Sequence, residues 1–202
     1  MLTADPQSLA NRVLDPSLRL LTARLVLRPV EERDAASTAS LMTEEVAKHL
    51  VSWNSPVAAT DILERIKLSR AAMTAGAGVD FAITFKGDLI GWLGAMRVSD
   101  SKIRLGYWLG SQYQSRGFAR EAATAFIPVA CALFRVGLIE AFVLSTNERS
   151  IRLLRSLGFT HDQADIESIG GGRLEMRFLQ ELEPDSSVIG SQTGKAIGSN
   201  RT

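Results

Sequence analysis

Two hydrophobic periods take turns along this chain. "RLVLRPV" sets Leu25 and Leu27 against Val26 and Arg28 and stops at Pro29, which predicts a first strand. "ERDAASTASLMTEEVAKHL" reads as a helix with acids in its first turn. "TDILERIKLSRAAM" is a clearer helix, with Thr60 as N-cap and Ile62, Ile66 and Met73 on one apolar stripe. "VDFAITFKGDLIGWLGAMRV" predicts two strands folded about Lys86-Gly87-Asp88. In "KIRLGYWLG", Ile103, Leu105, Tyr107 and Leu109 point one way, and Arg104, Gly106 and Trp108 the other. "AREAATAFIPVACALF" returns to helical spacing through Ala122, Phe126, Val129 and Leu133, with Pro128 expected to bend it or leave a weak turn. "LIEAFVLST" predicts a strand, "NERSIRLLRSLG" a short helix closed by Gly158, and "ESIGGGRLEMRF" a hairpin around three glycines. The triple glycine lies too far from a helix start to hold a phosphate. The order of elements predicts an α/β domain with a mixed sheet over residues 20–182. Residues 1–19 form an N-terminal extension, and 183–202, rich in Ser and Gly without periodicity, are expected to be disordered.

Composition narrows the classes. The chain has 202 residues, enough for one domain with a full core, at 46% hydrophobic and 22% charged residues. A net charge of +1 gives no electrostatic case for nucleic acid or a membrane surface. Cys131 is the single cysteine, so no internal disulfide and no cysteine metal cluster can form, and its place in a helix suggests core packing. Two histidines far apart, His49 and His161, do not suggest a metal site. No apolar run reaches the ~20 residues that span a bilayer, and the first residues lack the basic start and apolar block of a signal peptide. A cytoplasmic protein is expected.

One stretch carries candidate chemistry. "YQSRGFAREA" follows a strand directly and opens a helix directly. At that place the first backbone N–H groups have no intrahelical acceptor and lie at the positive end of the helix dipole, so an anion is favoured. Gly117 lets a ligand approach the backbone, and Arg116 and Arg120 add positive charge. Taken alone, the stretch also reads as an ordinary strand-to-helix turn.

Its surroundings favour the phosphate loop. The block from Ile103 to Phe159 resembles the GNAT acetyltransferase superfamily, in particular its RimJ/RimL-type N-acetyltransferases. Gln114-x-x-Gly117-x-Ala119 is similar to that family's pyrophosphate loop. "TARLVLRP" resembles its first strand, and "NERSIRLLRSLGF" its late Asn- and Ser-bearing segment. The resemblance implies a GNAT fold: a mixed, mostly antiparallel sheet of about seven strands flanked by helices and splayed between the fourth and fifth. It also implies acetyl-CoA as co-substrate, with no metal. The backbone of Tyr107, Trp108 and Leu109 would pair with the pantetheine arm. Gln114, Ser115, Arg116, Gly117, Phe118, Ala119 and Arg120 would hold the pyrophosphate. Asn147 would bond the CoA arm, and Ser150 would protonate the departing thiolate. Both residues also fit a plainer role at a helix start.

The implied reaction is direct attack of a primary amine on the thioester in a ternary complex, consistent with the lack of a nucleophile–base pair in the sequence. One position departs from the family pattern. Relatives carry "E-I-G-Y" with a glutamate base, where this chain has Arg104-Leu105-Gly106-Tyr107. An arginine cannot take a proton. Either Asp80, Asp100 or Glu148 serves, or the amine arrives neutral. Arg104 is then an acceptor-binding residue or a solvated strand residue. His49 and Trp53 are expected on the acceptor side. Charge patterning does not distinguish a protein N-terminus from a small-molecule amine, or a monomer from a homodimer. The rival reading, motivated by Arg104, is an acyl-CoA-binding module without transfer activity.

Overall fold

The computed structural model describes residues 17–50, 53, 55–169 and 173–182. Its sheet has eight strands: β1 Leu20–Leu21, β2 Leu25–Pro29, β3 Gly78–Phe85, β4 Asp88–Ser99, β5 Lys102–Leu109, β6 Leu138–Leu144, β7 Thr160–Ile169 and β8 Arg173–Glu181. They run in the order β1-β2-β3-β4-β5-β6-β8-β7. Every neighbouring pair is antiparallel except β5 and β6. The eighth strand, absent from the sequence expectation, is β1, whose two residues are too few to show alternation. The helices are α1 Ala35–Leu41, α2 Glu44–Ala47, α3 Ala59–Thr74, α4 Phe118–Phe134 and α5 Glu148–Ser156.

Strand alternation sorts the core into two layers. On one face Leu25, Leu27, Phe81, Ile83, Ile103 and Leu105 pack against α4 through Phe118, Ala122 and Phe126. Phe81 and Phe126 meet edge to face at 5.3 Å, and each such fully buried ring contributes about 1.5–3 kcal/mol of burial. On the other face Ala82, Trp92 and Trp108 pack against α1–α3 through Ala35, Val46, Ile62 and Ile66. The β3–β4 hairpin closes at Lys86 (φ 53°) and Gly87 (φ 93°), the left-handed pair that a two-residue turn requires.

Local departures have local causes. The run expected as one helix after residue 31 divides into a 3₁₀ turn at Glu32–Asp34, then α1, then α2. Thr43 is extended, and Glu44 and Glu45 occupy the following first turn, so this stretch carries its own helix start. Helix α3 starts one residue before Thr60, with extended Ala58 rather than Thr60 as its N-cap and no side-chain capping bond. Burial of Ile62, Ile66 and Met73 places that helix. Helix α4 continues through Pro128 without a break. The proline removes one N–H donor, while Phe126, Ile127, Ala130 and Cys131 around it are buried and hold the helix on the sheet. Cys131 is core packing, its thiol pushed up to about 11 by burial. The three glycines 170–172 lie outside the described residues, between paired β7 and β8. So do residues 1–16 of the N-terminal extension and the whole tail 183–202.

Candidate active site

The single parallel pair creates the site. β5 and β6 are in register only from Lys102 to Leu105 against Leu138 to Ala141. Beyond that, β5 follows β4 and β6 follows β8, so the strands part. The gap opens into a cavity of about 620 Å³, lined by Gly106–Leu109, Ala141–Val143, the start of α4, the start of α5, and Lys48–Leu50. Backbone groups on the parted edges are available to an extended ligand.

At the base of the parting lies a residue that the sequence reading missed. Glu140, 1% exposed, receives Lys102 Nζ at 2.6 Å and Arg104 Nη2 at 2.6 Å, with Arg104 Nε donating to it at 2.8 Å. Arg104 also lies over the Phe142 ring at 4.5 Å. Burial alone would raise the Glu140 pKa, but the hydrogen bonds and charges of Lys102 and Arg104 hold it below its ordinary value. Glu140 is therefore ionised near neutral pH and unsuited to take a proton. Its only sequence signal is a lone acid inside the apolar strand "LIEAFVL". The structure thus joins Arg104 to β6 and does not bring it to the cavity lining.

Glu140→Gln should lower stability by roughly 2 kcal/mol at pH 7, less than breaking a fully buried pair because both cations reach solvent. A depressed folded pKa stabilises above the unfolded value of about 4.3 and loses that contribution as pH falls through the folded one. The gap between wild type and variant should therefore close in denaturant titrations below about pH 4. An unchanged midpoint at pH 7 would count against this role.

The mouth of α4 is braced from behind. Gly117, at φ 80°, is its N-cap, and Ser115 is also left-handed at φ 59°. Arg24 donates to the Arg116 carbonyl at 3.1 Å and to Glu121 at 2.7 Å, and lies over Phe118 at 4.4 Å. Glu121 also accepts from the Thr22 hydroxyl at 2.6 Å. Burial would raise the Glu121 pKa, but Thr22 and Arg24 hold it below normal. Thr22 and Arg24, read in the sequence only as part of a first strand, thus clamp the loop. Gln114 ties the loop to β5 through the Leu109 carbonyl at 3.0 Å and to α5 through Arg149 at 2.6 Å. Arg116 turns onto the Phe118 and Phe85 rings, at 5.0 and 5.8 Å, rather than into the cavity lining.

Across the gap, Asn147 Oδ1 accepts from the Ser150 backbone N–H at 3.2 Å and so caps α5. The Ser150 side chain is left to accept a bond from the Tyr107 hydroxyl at 3.0 Å. Burial pushes that phenol up to about 12, against the partial offset of the Ser150 bond, so it is a neutral donor. This link between β5 and α5 was also missed, because sequence spacing carries no contact between residues 43 apart.

Of the residues expected at the site, Tyr107, Trp108, Leu109, Gln114, Ser115, Gly117, Phe118, Ala119, Arg120, Asn147, Ser150 and His49 line the one cavity. Trp53 does not. It packs edge-on against Trp92 and Trp108, both at 5.5 Å, beneath Arg65. Among the described residues, no group of three or more His, Cys, Asp or Glu could hold a metal, and no helix is long and apolar enough to cross a membrane.

Comparison with known proteins gives the family and the fold. Residues 24–160 match the family described as "Acetyltransferase (GNAT) domain". An uncharacterised N-acetyltransferase, p20 of Bacillus licheniformis, is 30% identical over 173 residues, spanning 81% of this chain and 96% of that protein. Among solved structures, RimJ of Mycobacterium smegmatis in complex with CoA-disulfide superposes with a TM-score of 0.69 at 22% identity, covering 83% of this chain and 88% of that one. The ribosomal-protein-S5-alanine acetyltransferase of Vibrio fischeri superposes with a TM-score of 0.73 at 18% identity, covering 82% and 97%.

Proposed function

This chain belongs to the GNAT acetyltransferase family, and from that premise we propose that it transfers an acetyl group from acetyl-CoA to a primary amine, with a protein N-terminus as first candidate. The observation that carries the proposal is the parting of β5 from β6 beside the glycine-capped mouth of α4. In this reading the pantetheine arm lies along the backbone of Tyr107, Trp108 and Leu109 as an added strand. The pyrophosphate sits on the amides of Ser115–Arg120, where orphaned N–H groups and the helix dipole favour an anion. A β5 N–H polarises the thioester carbonyl and stabilises the oxyanion that develops. Ser150, oriented by Tyr107, protonates the departing thiolate.

Direct attack by the amine suits the described residues better than an acyl-enzyme. Cys131 is buried in α4, and its thiol at about 11 leaves little thiolate at neutral pH. The rival reading, a binding module without turnover, rests on the missing glutamate of the "E-I-G-Y" pattern, in whose place Arg104 holds Glu140; the test below separates the two. The protein acceptor is favoured by the names of neighbours with the same fold, which act on ribosomal proteins.

The test is transfer of labelled acetyl from acetyl-CoA to a panel of peptides with N-terminal serine or alanine, polyamines and aminoglycosides. Label should appear on at least one peptide N-terminus. Acetyl-CoA binding with no transfer to any amine would reject the proposal.

A further inference from the structure

On the face of the sheet covered by α1–α3, one row of residues is nearly bare. Asp80 of β3 stands opposite Gly94 of β4, and Gly94 stands opposite Gly106 of β5. A Cβ on Gly94 would collide with Asp80 Oδ1, so the carboxylate lies directly over that glycine. A Cβ on Gly106 would meet no atom within 4 Å, so the space above it is open. Neighbouring strands are about 4.8 Å apart. The carboxylate therefore stands about one strand spacing from the open space over Gly106, which itself lines the cavity. One bridging water spans that distance.

The rows on either side are filled. Trp92 and Trp108, with Trp53 against both, occupy one. Met96 and Arg104 occupy the other. Two glycines on adjacent strands thus leave a bare row between Gly106, which lines the cavity, and Asp80, which lies outside that lining. Trp108, buried at its side, has an indole N–H with no acceptor among the described residues, a donor suited to a carbonyl of an acceptor chain.

Of the other acids, Glu45 and Glu148 line the cavity as exposed residues of its rim, while Glu140 and Asp100 lie outside its lining. Glu140 is locked by two cations. Glu148 is exposed and paired with Arg152 on the surface of α5. Asp100 is exposed in the turn between β4 and β5, at the end of β5 away from the cavity. Asp80 remains partly accessible. Its carboxyl is raised above its ordinary value by burial, against the opposing effects of a hydrogen bond from Ser69 and the charge of Arg65, both on α3. Arg104 is the charged group of the adjacent row.

We infer that Asp80 is the proton acceptor for the attacking amine, acting through a water that stands over Gly106; this rests on the N-acetyltransfer reading above. The ammonium loses a proton through the water to the Asp80 carboxylate, and the freed nitrogen lone pair forms the N–C bond with the thioester carbonyl. Collapse breaks the C–S bond. Of the two protons the ammonium loses, Asp80 relays one to solvent. The other, lost from the nitrogen as the tetrahedral intermediate collapses, goes to the Ser150 oxygen and replaces the proton that Ser150 gives to the departing thiolate.

The experiment measures transfer to a peptide with a free N-terminal serine or alanine by wild type, Asp80→Asn and Gly106→Ala, from pH 6 to 9. Asparagine keeps the shape over Gly94 but cannot take the proton. Turnover should fall about a hundredfold at neutral pH, with acetyl-CoA affinity unchanged. The deficit should narrow above about pH 8, where the N-terminal amine arrives neutral, a change that a purely structural role would not produce. Gly106→Ala places a methyl in open space, so the protein should fold whether or not Asp80→Asn does. It should cut turnover at least tenfold by obstructing the water. Wild-type turnover across the pH range in a folded Asp80→Asn protein, or in Gly106→Ala, overturns the inference and leaves the transferase reading standing. A wild type that acetylates no peptide or other amine removes that reading instead, and this inference with it.

Discussion

Gly117→Glu should abolish the rise in melting temperature that acetyl-CoA gives the wild-type protein. Two effects act together. Gly117 sits at φ 80°, a left-handed conformation that costs a residue with a Cβ about 1–2 kcal/mol. The new carboxylate would then face the pyrophosphate at the helix mouth, where the orphaned N–H groups and the dipole otherwise draw an anion in. A ligand present at a hundred times its Kd stabilises the folded state by about 2.7 kcal/mol, so loss of binding removes a shift of several degrees. Gly117→Ala separates the two effects. It carries the strain without the charge, and its Cβ would stand 3.4 Å from Arg24 Nη2, so neighbouring groups need give only slightly. That variant should melt lower than wild type yet still respond to acetyl-CoA. A full ligand shift in Gly117→Glu would dismiss the loop as the pyrophosphate site.

Ser150→Ala should lower turnover by about 10²- to 10⁴-fold, the usual contribution of a general acid, while acetyl-CoA affinity stays nearly intact. The structure makes this substitution clean. The cap of α5 uses the Ser150 backbone N–H, which alanine keeps, so the helix should not fray. What is lost is the hydroxyl that Tyr107 holds in place at 3.0 Å. Tyr107→Phe should give a smaller fall in the same direction, since the serine remains but loses its orientation. Its phenol, at about 12, does not ionise in the working range and cannot replace the serine as a charged group. Turnover of Ser150→Ala equal to wild type, with acceptor saturating, would assign the serine to packing alone.

The sequence alone determined, apart from the two-residue β1, which stretches are strands, which are helices and which face of each is apolar. The backbone repeats every two residues in a strand and every 3.6 in a helix, so these are local properties written in local spacing. That is why "KIRLGYWLG" divides correctly between the two core layers, and why Gly117 is recognised at a helix mouth before any fold is known. Where local signals overlap, as at Thr43 or Ala58, the boundaries shift by a residue or an element divides.

Register and pairing were decided only in three dimensions. Lys102, Arg104 and Glu140 form a lock because the parallel pair aligns Arg104 with Glu140 across a helical crossover. Tyr107 finds Ser150 because the strands part just above that lock. Asp80, Gly94 and Gly106 are unremarkable in their own segments, and the bare row they form exists because two antiparallel registers set them side by side. A one-residue slip in either register would turn a side chain of the row to the opposite face. What fixes the register is the burial of the whole sheet against both helical layers, a sum over residues far apart in sequence that no short stretch contains.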